Sequence, residues 1–195
     1  MSSPEEIRGA LRRLRRRGIR RWGTTRAAVA VTVVTGAAGP AVLLTRRAEA
    51  LGPHSGQLVL PGGRTGRWES ASDAARRQLA EELGMRLPPH AVLGLLDDYL
   101  THTRLVITPV VLWAGEHARP SPAARTADVI AVPFTDLDVE PVFVASSHSG
   151  GTVIRLPLRG GWLHAPTAAV LHQFREVVLC RRRTRVARLQ QPVYV

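Results

Sequence analysis

Hydrophobic and polar positions change rhythm several times along the 195-residue chain. Between residues 4 and 21, Ile7, Leu11 and Leu14 recur at spacings of four and three, while Arg12, Arg13, Arg15, Arg16 and Arg17 cover most of the remaining surface. That period predicts a short basic helix with one apolar stripe, either docked on the body of the protein or free to bind an external surface. Residues 27–44 then form a nearly continuous apolar run behind an Arg-rich stretch, a pattern shared with signal peptides and membrane spans. Turn residues Thr35-Gly36-Ala37-Ala38-Gly39-Pro40 interrupt it, with Val29, Val31, Val33 and Val34 before them and Val42, Leu43 and Leu44 after. A hairpin of two strands buried on both faces accounts for this segment better than an apolar helix does.

Farther on, residues 57–60 predict a short strand leading into Pro61-Gly62-Gly63. Residues 72–83 predict a helix, with Ser70 or Ser72 as its cap, Asp73 in its first turn and Gly84 just past its end. Strands are expected at 92–100, 104–113, 127–133 and 152–158, a loop at 115–126, and a closing helix at 165–180 with Pro166 in its first turn. Strands interleaved with helices, without a regular βαβ repeat, predict an α+β fold with a central mixed β-sheet between helices.

Charge divides the chain into three parts. All 27 basic residues are Arg, and the formal net charge is +12. Residues 1–26 hold nine Arg against Glu5 and Glu6, a net +7, and residues 181–195 hold five Arg and no acid, a net +5. The middle, residues 27–180, is balanced. The expected organisation is therefore a basic N-terminal helix or arm (1–26), one globular domain (27–180) and a basic C-terminal tail (181–195). Such ends suit nucleic acid or an anionic membrane surface. Aromatic content of 5% and the lack of an aromatic-studded RNA-binding motif make that a secondary role. The single Cys180 follows the apolar Val177-Val178-Leu179 and cannot form an internal disulfide, so the chain reads as intracellular and cytoplasmic.

The chemistry concentrates between residues 63 and 85. Pro61-Gly62-Gly63 allows a sharp turn and a close backbone approach. Glu69 precedes the helix, and within it Gln78, Glu81 and Glu82 stand at i, i+3 and i+4, projecting from one face. Adjacent carboxylates repel unless a cation or a basic partner neutralises them, and such oxygen ligands suit Mg²⁺ or Mn²⁺. An isolated Glu-Glu pair is ordinarily a solvated helix face, here bridged to Arg77 or Arg86. The spacing of the neighbouring residues argues against that reading.

Gly63, five residues, Glu69, seven residues, Arg77-Gln78-Leu79, one residue, Glu81-Glu82, one residue, Gly84-Met85 resembles the signature of the Nudix hydrolase family. Gln78 stands where that signature has Glu. Upstream, Leu43-Leu44-Thr45-Arg46-Arg47, Leu51, His54 and Gly56-Gln57 resemble the coenzyme A pyrophosphatase subgroup. A basic residue before His54 is missing, and Leu60 replaces the subgroup's Phe. The resemblance implies a Nudix-like α/β/α sandwich that hydrolyses a nucleoside diphosphate derivative such as coenzyme A or acyl-CoA. It implies Mg²⁺ or Mn²⁺ at Glu81 and Glu82, with Arg77 orienting the carboxylates, Glu69 supporting the loop and Gly63 permitting the turn. Arg46, Arg47 or Arg64 would hold phosphates, His54 would touch the nucleotide, and Asp128, Glu116 or Glu140 would complete the metal shell.

Gln78 lies at a catalytic position of that signature. Glutamine keeps the size but loses the charge, cannot act as a base and is a poorer Mg²⁺ ligand than a carboxylate. Loss of general-base assistance alone costs ~10²–10⁴-fold in rate. Two outcomes follow: a hydrolase working with its remaining carboxylates, or a Nudix-fold domain that binds a nucleotide or partner without hydrolysing it. An oligomer is compatible with either.

Overall fold

Thr25–Gly36 forms the first strand, β1, and its side chains alternate between two buried layers. Ala28, Ala30 and Val34 belong to one apolar cluster, and Val31 and Val33 to the other. With no solvent face along its middle, the strand reads as a continuous apolar run. The computed structural model describes residues 3–36, 38–47, 56–115, 120–121, 123, 126–146 and 150–191.

In chain order the elements are α1 (Pro4–Leu14), β1, β2 (Gly39–Arg47), β3 (Leu58–Val59), β4 (Gly62–Arg64), α2 (Ala71–Leu83), β5 (Val92–Leu95), β6 (Tyr99–Leu100) and β7 (Leu105–Gly115). There follow β8 (Thr126–Pro133), the short α3 (Phe134–Leu137), β9 (Val142–Ala145), β10 (Thr152–Leu158), β11 (Gly161–His164), α4 (Thr167–Phe174) and β12 (Leu189–Gln190). β1 and β2 form the expected hairpin, pairing Val33 with Val42 and Gly36 with Gly39. β7 pairs parallel with β1 on its other side, Ala28 opposite Thr108. β4 also pairs with β1, β3 and β8 with β2, and β5 and β6 with β7, giving an eight-stranded mixed sheet among the described residues.

Helices cover both faces of this sheet. Ala74, Ala75, Leu79 and Leu83 of α2 pack against Ala28, Ala30, Leu43, Val110 and Leu112. Small residues on both sides let helix and sheet approach, and the fully buried Leu79 and Leu83 each contribute about 2 kcal/mol of apolar burial. On the other face lie α4 and α1, whose Phe174, Ile7, Leu11 and Leu14 share a cluster with Val31, Val33 and Val111. α1 is thus docked through its apolar stripe. Its start is fixed by a capping box, the Glu6 amide donating to Ser3 Oγ and the Ser3 amide to Glu6 Oε2. The result is the α+β, α/β/α sandwich expected from the sequence. Of a second, four-stranded sheet (β9 to β12), β10 is the strand expected at 152–158, while β9, β11 and β12 were not anticipated because they are short and partly exposed.

The expected single strand at 92–100 is instead two, β5 and β6, separated by Leu96-Asp97-Asp98. Pro109, opposite the break, has no amide to donate, and its carbonyl accepts from the Leu96 amide (3.0 Å). The Asp98 amide leaves the ladder and donates to the Arg17 carbonyl. Both carboxylates are buried. Asp98 accepts from Arg16 Nη2 (2.5 Å), the Ile19 amide (2.8 Å) and Thr108 Oγ1 (2.7 Å). Asp97 accepts from the Arg17 amide (2.7 Å), Gln173 Nε2 (2.9 Å) and Arg185 Nη1 (2.8 Å). Arg185 Nη2 also donates to the Leu14 carbonyl (2.8 Å), so both basic ends meet at this acidic pair.

Removing a buried, paired charge strands its partners. Asp98→Ala is expected to lower the unfolding free energy by about 3 kcal/mol, measured by urea denaturation. Asp136→Ala, at an exposed position, is expected to change it by about 0.5 kcal/mol or less.

Candidate functional site

The site is built on α2 and the loop that precedes it. Ser70 caps the helix by accepting from the Asp73 amide (3.1 Å), and Gly84, with φ of 66°, ends it in the left-handed conformation. Before the cap, the Gly66 amide donates to Glu69 Oε2 (2.8 Å) and the Glu69 amide to the Gly66 carbonyl (3.2 Å), closing a tight turn.

Arg77 ties this turn to the helix and to β4. Its Nε and Nη2 donate to the two Glu69 oxygens, both at 2.8 Å, a bidentate pair. Nη2 also reaches the Arg64 carbonyl (3.1 Å), and Nη1 reaches Glu81 Oε1 (3.2 Å). The Arg77 hydrogen bond, assisted by the Gly66 amide, holds the Glu69 carboxyl down at about 2. Hydrogen bonding to Glu69 pushes the Arg77 guanidinium further up. Glu69 is therefore an ionised strut at neutral pH.

Gln78 and Glu82 face β4. Gly63 passes so close to the Gln78 carboxamide that a Cβ there would lie 2.7 Å from Gln78 Cδ. Gly63 is absent from the positive-φ glycines. A Cβ at Gly63 would displace only the end of the flexible Gln78 side chain, whereas one at Gly62 would lie 2.5 Å from the Ala28 carbonyl oxygen, so the close approach that requires glycine is at Gly62. The Gly62 amide donates to Glu82 Oε1 (3.0 Å), fixing that carboxylate against the strand. Gln78 Nε2 donates to Glu81 Oε2 (2.9 Å), which also accepts from Arg77 Nη1 (3.4 Å), so Arg77 reaches both Glu81 oxygens and Gln78 one of them.

The remaining candidates are scattered. Arg46 Nη1 donates to the Gly56 carbonyl (2.8 Å) from β2, and the Arg64 side chain is exposed on β4. The Arg47 side chain, His54 and Glu116 lie outside the described residues. Asp128 is exposed opposite Arg46 in the β2–β8 ladder. Glu140 is not near α2: its Oε1 accepts from Arg175 Nη2 (2.8 Å), beside Asp138 and Glu176. A groove of about 520 Å³ runs along α2, where Arg76, Arg86 and Leu87 join Glu69, Arg77 and Glu81. Arg76 and its contact to the Leu87 carbonyl (2.8 Å) were missed from sequence. The three-residue offset of Asp73 and Arg76 was the one available signal.

Among the described residues, no three acidic, His or Cys side chains converge on one point. The carboxylates available to a divalent cation are Glu81 and Glu82. Two carboxylates fit Mg²⁺ or Mn²⁺ chemistry where phosphate oxygens and water supply the other ligands.

The strut has a pH signature. A carboxyl lowered from its ordinary 4.5 to about 2 adds stability that is complete above about 4.5 and is lost as pH falls through about 2. The stability difference between wild type and Glu69→Gln, from denaturant melts, is expected to be flat from neutral pH to about 5 and to shrink below it.

The chain matches the family profile described as NUDIX domain over residues 24–146. Nudix hydrolase 22, chloroplastic, of Arabidopsis thaliana is 32% identical over 119 residues, covering 58% of this chain and 39% of that protein. A mitochondrial coenzyme A diphosphatase of Homo sapiens is 31% identical over 137 residues, covering 67% of this chain and 55% of that protein. The chain thus spans about half or less of the length of these curated relatives. The crystal structure of a Nudix hydrolase from M. smegmatis covers 83% of this chain and 90% of its own, with a TM-score of 0.53 and 21% identity, a likeness of fold. With more than half of its length matched by that profile, and the signature helix packed against β1 and β4, the chain belongs to the NUDIX domain family.

Proposed function

We propose that this chain is a Mg²⁺- or Mn²⁺-dependent diphosphatase acting on a nucleoside diphosphate derivative, with coenzyme A or acyl-CoA as the favoured substrate. The observation that carries the reading is the carboxylate arrangement on α2: Glu69 and Arg77 lock the loop, while Glu81 and Glu82 stand side by side. The likeness to a human coenzyme A diphosphatase, and the residues upstream of Gly63, support the substrate class.

In this reading Glu81 and Glu82 hold the cation, which offsets the diphosphate charge and makes water more acidic when bound. Arg77 and the Gly62 amide set the orientation of the two carboxylates. Glu69, held at about 2 and tied to Arg77, is a poor base, and Gln78 cannot accept a proton. Proton acceptance from the attacking water therefore falls to a group other than Glu69 and Gln78. Arg46, Arg47 and Arg64 bind phosphate oxygens, and His54 contacts the nucleotide end.

A second reading has one observation in its favour. The Gln78 amide already gives Glu81 a hydrogen bond where a signature glutamate would have added charge. A domain with that substitution binds the diphosphate without turning it over.

Wild type, Gln78→Glu and Glu82→Ala are to be incubated with coenzyme A, acyl-CoA, nucleotide sugars, dinucleotides and nucleoside triphosphates, with Mg²⁺ or Mn²⁺. The expected result is turnover of coenzyme A or acyl-CoA by wild type, faster turnover by Gln78→Glu, and a loss of ~10²-fold or more in Glu82→Ala. Turnover by Gln78→Glu alone would replace the hydrolase reading with the binding one. Robust activity in Glu82→Ala would remove the metal assignment.

A further inference from the structure

Three loops meet at the end of the sheet where β1 begins. The Thr25 amide donates to the Arg104 carbonyl (3.2 Å), and Arg104 Nη2 donates to the Trp22 carbonyl (2.9 Å), joining loop 20–24 to loop 101–104. The Thr65 amide donates to the Arg26 carbonyl (3.0 Å), bringing loop 65–69 to the same end. The first loop exposes Arg20, Arg21 and Trp22, the second Arg67 and Trp68, and the third Arg104. The one carboxylate in these three loops, Glu69, is already taken up by Arg77. The two indoles are the most exposed large apolar side chains described, Trp22 at 96% and Trp68 at 90%.

Soluble surfaces do not ordinarily hold two tryptophans fully in water, since each indole leaves a large apolar area hydrated. Arginines that surround them without an unpaired acid leave uncompensated positive charge. We propose that this end of the molecule is a docking surface for an anionic phospholipid bilayer, with Trp22 and Trp68 seated at headgroup level and the arginines on lipid phosphates. Indole is suited to that depth because its ring is apolar and its N–H remains bonded to headgroups or water. Guanidinium groups bind phosphate oxygens in pairs, and each cation at an acidic surface adds to attachment. No helix among the described residues is long and apolar enough to cross a membrane, so the contact is peripheral.

Two other occupants fit less well. A single-stranded nucleic acid needs ring faces supported by the protein and open to a base. Trp22 has both faces in solvent, and the Arg67 guanidinium lies 5.3 Å from the Trp68 ring centroid, over one face. A second copy of this chain would bring two like-charged patches together. The inference does not depend on the hydrolase reading, because none of Arg20, Arg21, Trp22, Arg67 and Trp68 belongs to the proposed catalytic machinery.

The test is co-sedimentation of the full chain with vesicles of phosphatidylcholine alone or mixed equally with phosphatidylserine, at low and high salt. Expected are binding to the mixed vesicles only, weakening with salt, and a blue-shifted tryptophan emission quenched by brominated acyl chains. Trp22→Ala with Trp68→Ala should abolish the quenching. Arg20→Ser, Arg21→Ser and Arg67→Ser should each weaken vesicle binding about five-fold. Unchanged melting curves would show that these exposed replacements leave the fold intact. Absence of vesicle binding, equal binding to neutral vesicles, or binding unchanged in the variants would overturn the proposal. So would a Trp22- and Trp68-dependent complex with labelled oligouridylate in place of vesicles, or self-association that shields the indoles in analytical ultracentrifugation.

Discussion

Two adjacent carboxylates, Asp97 and Asp98, are nearly inaccessible to solvent and are reached from both ends of the chain. A buried charge is costly unless its lone pairs are filled, and here six groups from residues 16–19, 108, 173 and 185 fill them. The gain of such an arrangement lies in specificity more than in net stability. The two carboxylates have full partners only when α1, β7, α4 and the C-terminal segment are all in place. The basic character of the two ends is thereby partly structural. Arg16 and Arg185 serve the interior, while Arg20, Arg21 and Arg67 remain on the surface.

The same constraint positions the signature helix. Thr108, which donates to Asp98, sits opposite Ala28 in the β1–β7 ladder. Ala28 is opposite Gly63 in the β1–β4 ladder, and Gly63 touches Gln78. A short chain of backbone pairings thus leads from the buried acidic pair to Gln78. Arg77 and Glu69 then fix the loop from the other side, independently of any ligand.

Gln78 has a defined place in this geometry. Its carbonyl end lies against Gly63, and its amide bonds Glu81. No third acid converges on Glu81 and Glu82 among the described residues, and both carboxylates are already held by protein donors. Under the proposed function they form a lightly charged cation site completed by a diphosphate, with residue 78 as the position that balances binding against turnover.

Much was legible from sequence because the relevant signals are local. The α2 caps, the β1–β2 hairpin and the spacing of Gly63, Glu69, Arg77, Glu81 and Glu82 depend on period and turn chemistry within short windows. The apolar run at 27–36 also announced a strand with two buried faces. What the sequence could not give was every feature made by residues far apart. The break at Leu96-Asp97-Asp98 looked like continuous strand, because its cause is Pro109 across the ladder and the donors from residues 16–19. Glu140 looked available to a metal until Arg175 was seen to hold it. The apolar stripe of the N-terminal helix allowed docking, but tertiary contacts alone divided the arginines of both ends between interior anchors and an exposed surface. The sequence by itself determined the family helix, its carboxylates and the substitution at Gln78. Tertiary structure decided which charges are neutralised, because neutralisation depends on proximity in space and the partners lie as many as 88 residues apart.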